Sequence, residues 1–462
     1  MGINQSGVCH LAQVPQSERR SPFIMGLLWI TMVTAFPMVL VGFEWHKQGF
    51  SLNQLLLCTT LSCLLLLAYA IPATQLGARS GLGYCGLSRT TFGRWGTWLV
   101  AGNLVWMGVI WYGITAVWMA QATRDLLHVQ FSITGMAIIF AFLMAFNNFF
   151  GFKGVANFAR FVAAPALILW VGYTFFKSIG AVPHSVFTEP SHQSFMNALT
   201  TTSSFIIGYA VWGNEPDFWR FSKPGTPRSA IPYAIALLIG QIIFPITGWL
   251  ISRTTGILDS ATATTFLNNY SFGGIAVIGF LILTASYFAI NDATLFGQAT
   301  AIESIWSIKH RTTVTILAIV GALIAAFLSV VDSIKALDVI AALNCVILPM
   351  PTVIMITEWF LREKVFRSLI DFANIPSLVE LPAIRWTSTI ALFSGFAVGI
   401  ATAGLIPGLE SWHIGVCPIQ AWLTGAFVYT VLRVREYRME TADRALILQA
   451  AAATSESEPV AL

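Results

Sequence analysis

The sequence has few charged residues. Asp, Glu, Lys and Arg make up 10% of its 462 residues, whereas a soluble domain carries about 25%. A chain this poor in charge cannot cover a water-exposed surface with polar groups. Hydrophobic residues make up 56% of the chain, and the mean hydropathy is +0.73. These values exclude an ordinary soluble protein and predict a chain that crosses a lipid bilayer several times.

Paired cysteines and clustered histidines are also lacking. The six Cys include no CxxC pair, and Cys58, Cys63 and Cys345 lie inside apolar stretches, so we interpret them as buried apolar side chains. All seven His lie near loops or the ends of apolar segments. The sequence therefore indicates neither a metal site nor a nucleophile–base pair within the membrane, and we do not expect an enzyme.

Three further features are missing. The basic residues lie in short loops rather than on one face, so we expect no nucleic-acid partner. No acidic or carbonyl-rich filter motif indicates a channel. No short apolar core with a cleavage site precedes the first apolar stretch, so we expect no cleaved signal peptide.

Twelve stretches are apolar enough and long enough for a helix to cross the hydrocarbon, which takes about 20 residues. In chain order these spans 1 to 12 are 22–46, 52–74, 95–122, 131–150, 157–179, 196–214, 229–251, 272–298, 312–331, 333–358, 385–406 and 412–433. They are too long and too continuously apolar for barrel strands, which alternate over about ten residues. We therefore predict an all-α polytopic membrane protein with twelve transmembrane helices.

The Lys and Arg residues favour one orientation of these spans. If the N-terminus is cytoplasmic, nearly all of them lie in cytoplasmic segments. The exceptions are Lys47, Arg124, Lys177 and Arg253 outside, and Lys335 within a span. Because basic residues concentrate in cytoplasmic loops, we predict a multi-pass protein of the cytoplasmic (inner) membrane with both termini in the cytoplasm.

Spans 1 and 6 are both interrupted by Gly or Pro. Span 1 is interrupted around Pro37 and Gly42, and span 6 around Gly208, Gly213 and Pro216. An unwound turn leaves backbone groups that lipid cannot satisfy, so they must face protein, a ligand or a watery cavity. Broken helices at matching positions in two halves point to the binding site of a transporter.

Spans 1–5 and 6–10 form two halves of equal helix count. An odd number of helices in each half makes the second half enter the membrane in the opposite sense, which predicts a five-plus-five inverted repeat followed by two extra helices. The expected units are a cytoplasmic N-terminal tail (1–21), a transporter core (22–360) with repeats at 22–180 and 196–360, an amphipathic cytoplasmic link (361–384), spans 11 and 12 (385–434) and a cytoplasmic tail (435–462).

Candidate ligand contacts lie on spans 3 and 6. Trp111 lies near the middle of the aromatic span 3 and shares a helical face with Thr115. An indole wall suits a planar heteroaromatic ligand, because offset stacking requires no hydrogen bond; the alternative is a packing or lipid-facing surface. Tyr209, Trp212 and Asn214 lie at the break of span 6, and Asn can donate to and accept from an amide-like nucleobase edge.

Ionisable residues in spans 8 and 1 are further candidates. Asn291 and Asp292 lie in the middle of span 8, where a charge costs roughly 3 kcal/mol and is by default a functional hypothesis. The alternative is a buried Asp satisfied by neighbouring Ser or Thr. Gln298 lies seven residues after Asn291 and shares its face. Glu44, near the end of span 1, is a second ionisable candidate, although its polar neighbours are typical of an ordinary interface.

Several segments resemble one known family, the purine-cytosine permease branch of the nucleobase–cation symporter-1 family. The stretch GARSGLGYCGLSRTTFGRWGTWLVAGNLVWMGVIWYGITAVWMA resembles the loop and third helix of its cytosine permeases. NEPDFWRF is similar to the Asp-aromatic-x-Arg ending of helix 6, AINDATLFGQATAI to the Asn-Asp helix 8, and LPMPTVIMITEWF to helix 10. Together with matches in helices 4 and 5, the resemblance covers most of residues 20–360.

The resemblance implies the leucine-transporter type of five-plus-five fold. It also implies a cation symporter that imports a nucleobase such as cytosine or a purine, or a related planar heterocycle, by alternating access. The substrate would lie between Trp111 and an aromatic on helix 6, with Asn291 and Asp292 at its edge. The usual helix 6 aromatic falls at Gly208 here, so Tyr209 or Trp212 would substitute for it.

The resemblance leaves the coupling ion open between proton and sodium. Sodium-using relatives place hydroxyls just before the helix 8 Asn, and those positions here are Ala289 and Ile290. We mark Phe36, beside the first break, and Ala289 as positions relevant to ion coupling. Asp292 or Glu44 would serve a proton. No other cofactor is expected, and the expected partners are a small molecule and the lipid bilayer, with the protein as a monomer.

Two alternatives remain open. The same fold could carry an amino acid, a hydantoin or a thiamine-precursor pyrimidine instead of a nucleobase. A leucine-transporter-type amino-acid carrier would direct N–H groups of the broken helices at a carboxylate, whereas the Trp-rich span 3 favours a flat ring. The other class is a membrane-embedded enzyme, which the peripheral positions of the His residues disfavour.

Overall fold

The chain is helical wherever the computed structural model describes a regular element. The structure describes residues 13–258, 266–267, 270–271, 274–306, 308–330, 333–367, 380–406, 408, 412 and 415–456. Among these, seven helices are long and apolar enough to cross a membrane, or eight if the bent pair Pro22–Val33 and Pro37–Lys47 counts as one span. Half of the predicted link at 361–384, residues 368–379, lies outside the described residues.

Each of the twelve predicted spans coincides with a helix or with an interrupted helix. In the first half these are span 1 (Pro22–Val33 and Pro37–Lys47), span 2 (Leu52–Ser80), span 3 (Gly96–Leu127), span 4 (Ile133–Met144, then the 3-10 turn Phe146–Phe150) and span 5 (Gly151–Phe158, the π-helical turn Ala159–Ala163 and Ala164–Ala181). A short loop helix, Tyr84–Phe92, lies between spans 2 and 3.

The second half follows the same pattern. It consists of span 6 (Phe195–Ala210 and Glu215–Trp219), span 7 (Thr226–Leu237, the π-helical turn Leu238–Ile243 and Phe244–Thr255), span 8 (Ala276–Ile305), span 9 (His310–Leu328) and span 10 (Ser333–Ile347 and Met350–Phe360). Span 11 (Trp386–Thr402) and span 12 (Cys417–Glu456) follow. Span 12 continues past its predicted end at 433, into the segment expected to be a tail.

The first break comprises Thr34, Ala35 and Phe36, and the two halves of span 1 meet there at an angle of 52°. Pro37 begins the second half, where its missing N–H costs nothing because the first turn has no intrahelical acceptor for it. Gly42 does not contribute to the break. It lies inside the helix, and a Cβ there would lie 2.6 Å from the Trp249 backbone nitrogen, so this glycine allows span 7 to pack closely.

The second break comprises residues 211–214. Val211 is extended, and Gly213 has φ +72°, a left-handed conformation that favours glycine. Pro216 lies in the first turn of the second half. Gly208 is still helical and is a packing residue, because a Cβ on it would collide with the Ala341 backbone of span 10. Both breaks therefore exist where predicted, but Gly42 and Gly208 serve helix packing rather than unwinding.

The helix contacts follow the symmetry of the repeat. Span 7 packs on both halves of span 1, and span 2 packs on both halves of span 6. Exchanging span 1 with span 6, and span 2 with span 7, converts one of these pairs into the other. Span 3 packs along span 8, a pair that maps onto itself, and spans 11 and 12 pack on each other. This is the arrangement that a five-plus-five inverted repeat with two added helices requires, and it places both breaks inside the bundle.

Candidate functional site

A small pocket lies beside the second break, between spans 3, 6, 8 and 10. It is lined by Leu104, Gly108, Trp111, Thr115, Tyr209, Val211, Trp212, Asn214, Ile290, Thr294, Gly297, Gln298, Asn344 and Leu348. The cavity volume that water centres can occupy is about 40 Å³, which is room for roughly three waters. The walls therefore stand close together, and a ring can enter only when side chains move apart.

Aromatic rings form one wall of this pocket. The rings of Trp111 and Tyr209 meet edge to face, with centroids 5.6 Å apart and an interplanar angle of 89°. Tyr209 also stacks on Phe205, at 6.1 Å and 10°. The indole Nε1 atoms of Trp111 and Trp212 are buried and have no hydrogen-bond partner. Each indole therefore offers both a flat apolar face and an unused donor.

Three amide side chains supply the polar part of the lining. Asn214, Gln298 and Asn344 are at most 2% exposed. Both polar atoms of Gln298, and the Oδ1 atoms of Asn214 and Asn344, have no hydrogen-bond partner. A buried polar atom left unpaired costs about 1–3 kcal/mol, so such a cluster requires an explanation. A ligand with complementary donors and acceptors would provide it.

The orientation of two of these amides is fixed by their own N–H groups. Asn214 Nδ2 donates to Asp217 Oδ2 at 3.0 Å. Asn344 Nδ2 donates to the backbone oxygens of Gly208 at 2.6 Å and Val211 at 3.3 Å. Since carboxylate and carbonyl oxygens only accept hydrogen bonds, the Oδ1 atoms of Asn214 and Asn344 remain as acceptors. The pocket therefore presents two fixed acceptors beside the adaptable Gln298.

Glycines make room for the amides. A Cβ on Gly108 of span 3 would collide with the Gln298 amide, and a Cβ on Gly297 would lie 2.6 Å from Asn214 Nδ2. Small residues allow helices to approach closely in a membrane. Here they allow long polar side chains to lie flat between helices.

The unwound backbone of the second break is satisfied by side chains. Trp212 N–H donates to Glu215 Oε1 at 3.0 Å, and the Gly213 carbonyl accepts from the Thr352 hydroxyl of span 10. Asp217 Oδ1 accepts from the backbone N–H of Tyr84 at 2.8 Å, which ties the break to the loop helix. Asp217 and Arg220 are both buried at the end of this segment.

Asn291 and Asp292 lie outside the pocket lining. Asn291 Nδ2 donates to the Tyr112 backbone oxygen at 3.1 Å. Asp292 accepts from Asn147 Nδ2 at 2.7 Å and from Asn148 Nδ2 at 3.3 Å, so amides rather than Ser or Thr hold this carboxyl. Their assignment to substrate or ion binding stays a prediction, and in this conformation they connect span 8 to spans 3 and 4.

The other proposed ion-coupling positions also lie away from the pocket. The side chain of Glu44 is 38% exposed and lies 3.6 Å from Lys47 Nζ. Phe36 packs on Trp170 beside the first break, with ring centroids 5.8 Å apart. Ala289 packs with other alanines of spans 5 and 8. Their roles in coupling stay predictions.

Five of the predicted contacts meet at the pocket: Trp111, Thr115, Tyr209, Trp212 and Asn214. Gly208 contributes through its carbonyl, which Asn344 binds. Sequence reasoning noted Gln298 only as a neighbour of Asn291 and missed Asn344 altogether. Each is an amide within an apolar span, and that signal alone could have identified both. Among the described residues, no group of three or more His, Cys, Asp or Glu could hold a metal ion.

Comparisons with known proteins agree with the geometry. A family model described as "Permease for cytosine/purines, uracil, thiamine, allantoin" matches residues 13–412. Cytosine permeases of Escherichia coli O157:H7 and Escherichia coli strain K12 are each 23% identical over 443 residues, which cover 93% of this chain and 95% of theirs.

Solved structures share the fold. Mhp1, a nucleobase-cation-symport-1 family transporter in a closed conformation with bromovinylhydantoin bound, has a TM-score of 0.72 at 18% identity, over 95% of each chain. A sodium-coupled sialic acid symporter has a TM-score of 0.64 at 10% identity, over 92% of this chain and 93% of that one. The expected fold is confirmed by these matches, and a permease rather than an enzyme by the family match.

Proposed function

The chain belongs to the permease family for cytosine/purines, uracil, thiamine and allantoin, and on that premise we propose that it imports a nucleobase such as cytosine, coupled to a cation, by alternating access. The proposal depends chiefly on one observation, the unpaired amides of Asn214, Gln298 and Asn344 beside the indoles of Trp111 and Trp212. Stacking would hold the ring, and the amides would read its edge.

The fixed acceptors favour a cargo rich in N–H donors. Asn214 Oδ1 and Asn344 Oδ1 require donors, and Gln298 can both donate and accept. Cytosine and adenine each carry an exocyclic amino group and a ring N–H beside ring acceptors. A ligand that offers only acceptors would leave both Asn oxygens unpaired, which disfavours its binding.

The absence of charge from the lining disfavours an amino acid as cargo. None of the lining residues is charged. The described pocket therefore provides no counter-charge for an α-carboxylate or an α-ammonium group. A neutral ring needs neither.

We also propose the finer features expected from the sequence. The protein would lie in the cytoplasmic membrane, with both termini in the cytoplasm, since its basic residues concentrate in alternate loops. The coupling ion would be a proton. Ala289 packs in a cluster with Ala163 and Ala285, so it provides no side-chain oxygen where sodium-using relatives place a hydroxyl.

Uptake by purified protein in proteoliposomes tests this function. Labelled cytosine is supplied under an inward proton gradient alone, and in parallel under an inward sodium gradient alone. We expect accumulation with the proton gradient and none with the sodium gradient. Accumulation of leucine but not of any nucleobase would contradict the cargo, and accumulation of cytosine under sodium alone would contradict the ion.

A further inference from the structure

Glu215 is a fully buried carboxyl group in the first turn after the second break. One of its oxygens accepts from the Trp212 backbone N–H at 3.0 Å, and the other accepts from the Tyr69 hydroxyl of span 2 at 2.7 Å. Taking an ion out of water costs several kcal/mol unless it is well paired. A carboxyl group in such a place is a functional candidate by default.

No cation pairs with this carboxyl. Across the described part of the chain, no Lys, Arg or His forms an ion pair with Glu215. Arg220, the residue that follows this short helix, interacts with Asp217 and Glu303 instead. Glu358, the comparably buried carboxyl of span 10, is different, because Arg guanidinium groups surround it.

Two Arg side chains and one Tyr hydroxyl contact the Glu358 carboxyl group. Arg362 lies at 2.7 Å and Arg433 at 3.3 Å, and the Tyr429 hydroxyl donates at 2.9 Å. Glu358 therefore has two cationic partners within 3.3 Å. Glu215 has no partner charge that would hold it in one protonation state.

Hydroxyl groups face Glu215 from the neighbouring elements. Besides Tyr69, they belong to Tyr84 of the loop helix and Tyr233 of span 7. The hydroxyls of Tyr84 and Tyr233 are buried and lack a hydrogen-bond partner. On the same helix, the carboxylate of Asp217 faces Tyr84. Among the described residues, the titratable groups that face Glu215 or its phenol neighbours are phenols, two thiols and one further carboxyl group.

The bonds of Glu215 suit both protonation states. A carboxylate accepts from the Tyr69 hydroxyl and from the Trp212 N–H, as observed. A carboxylic acid could donate its proton to the Tyr69 oxygen, because a phenol both donates and accepts, and could still accept from Trp212 with its other oxygen. The group can therefore gain or lose one proton without losing either partner.

Glu215 is also connected directly to the pocket. Trp212, whose N–H it holds, lines the pocket, and Asn214, the residue before Glu215, provides one of the fixed acceptors. Asp292 is less well placed, because its oxygens accept from Asn147 and Asn148 and it does not line the pocket.

We propose that Glu215 binds the coupling proton, its carboxylate taking up one H⁺ to become a carboxylic acid as the transporter loads and returning that H⁺ when the cargo leaves. This inference rests on the proposed function, a proton-coupled nucleobase importer. It differs from the expectation based on Asp292 or Glu44, and it locates the proton site on the unwound segment that contacts the cargo.

The test compares Glu215→Gln with Asp292→Asn, the same chemical change at the competing carboxyl. Both proteins are purified as full chains and reconstituted beside the wild type. Three quantities are measured: the affinity for cytosine over a series of pH values, cytosine counterflow without any gradient, and accumulation driven by a proton gradient. Thermal melting checks that each variant is folded.

In the wild type we expect an affinity that depends on pH. Glu215→Gln should make the affinity independent of pH and reduce gradient-driven accumulation to the level without a gradient, while measurable counterflow remains. Asp292→Asn should keep the pH dependence, whatever its effect on rate. A pH-dependent, gradient-driven Glu215→Gln protein would overturn the proposal, as would loss of the pH dependence in Asp292→Asn alone.

A second variant covers the case in which Glu215→Gln does not fold. Tyr69→Phe keeps the carboxyl and removes the hydroxyl that donates to it, so the midpoint of the pH profile should move while the profile itself persists. An unchanged midpoint would overturn the proposal. Wild-type uptake driven by sodium alone would overturn it too and leave nucleobase transport intact, whereas a wild type that transports no nucleobase contradicts the proposed function itself.

Discussion

The two helix breaks differ in the side chains that bind their unwound backbone groups. At the first break, the Val33 carbonyl accepts from the Gln241 amide of span 7, and Phe36 packs on the ring of Trp170. At the second break, the backbone groups bind Glu215, Asn344 and Thr352. No residue of the first break lines the pocket, whereas three residues of the second do.

This difference separates support from recognition. At both breaks, unwound backbone groups need hydrogen-bond partners that lipid cannot provide. At the second break, Asn344 donates to backbone oxygens and keeps its Oδ1 atom unpaired in the pocket. Asn214, within the break, donates to Asp217 and likewise keeps its Oδ1 atom unpaired. We therefore assign ligand recognition to the second break. The following experiments test that assignment.

Replacing the amide side chain that binds each break should give the largest difference in melting temperature and in stabilisation by cytosine. Asn344→Leu leaves two backbone carbonyls without this donor and removes a pocket acceptor. At about 1–3 kcal/mol for each unsatisfied group, we expect a clear drop in melting temperature together with loss of the stabilisation by cytosine. Gln241→Met, which removes the donor to Val33, should lower the melting temperature less and leave that stabilisation in place. Equal loss in both variants would contradict the assignment.

Replacing one Trp near each break should separate cargo stacking from packing. Trp111→Ala should weaken cytosine binding roughly 10- to 100-fold, because stacking a base on an aromatic ring contributes about 1–3 kcal/mol. Trp170→Ala is the matched control, since Trp170 packs on Phe36 and Phe244 away from the pocket. Its affinity for cytosine, measured by calorimetry, should stay close to that of the wild type. Unchanged binding in Trp111→Ala would remove the stacking role.

Gln298→Met should have a smaller effect on the same affinity. The change keeps the approximate shape and removes one donor and one acceptor that have no protein partner. Two hydrogen bonds, each near the lower end of the range of about 0.5–1.5 kcal/mol, predict about a tenfold loss. Because the atoms are unpaired without ligand, the melting temperature without cytosine should not fall. A fall without any change in affinity would show that Gln298 is structural.

Exchanging sodium for choline should have the smallest effect. Ala289 of span 8 packs with Ala285 of the same helix and Ala163 of span 5, so it offers no side-chain oxygen to a sodium ion. We expect the affinity for cytosine to be the same in both salts at equal ionic strength. A large gain in affinity with sodium would indicate a sodium site that these side chains do not reveal.

Much of this architecture could be predicted from the sequence. Length and hydropathy were enough to place all twelve helices, and Pro37, Gly213 and Pro216 indicated both breaks. Gly42 and Gly208 were misread, because a glycine in a helix can serve either unwinding or close packing, and only the neighbouring backbone decides which. The packing of span 1 on span 7, and of span 2 on span 6, could not be predicted from a single sequence.

The sequence predicted only part of the pocket lining. Trp111, Tyr209 and Asn214 were found because aromatics and amides stand out near a break. Asn291 and Gln298 share a helical face, but seven residues separate them by about 10.5 Å along the axis. They therefore meet different neighbours: Asn291 meets Tyr112, and Gln298 meets Gly108.

The most direct test of the central claim is a calorimetric titration of the purified wild type with cytosine, adenine, uracil, hydantoin and leucine. The uncharged, amide-lined pocket predicts saturable binding of the amino-bearing bases, strongest for cytosine or adenine, and no binding of leucine. Saturable binding of leucine, with no heat from any of the rings, would contradict it.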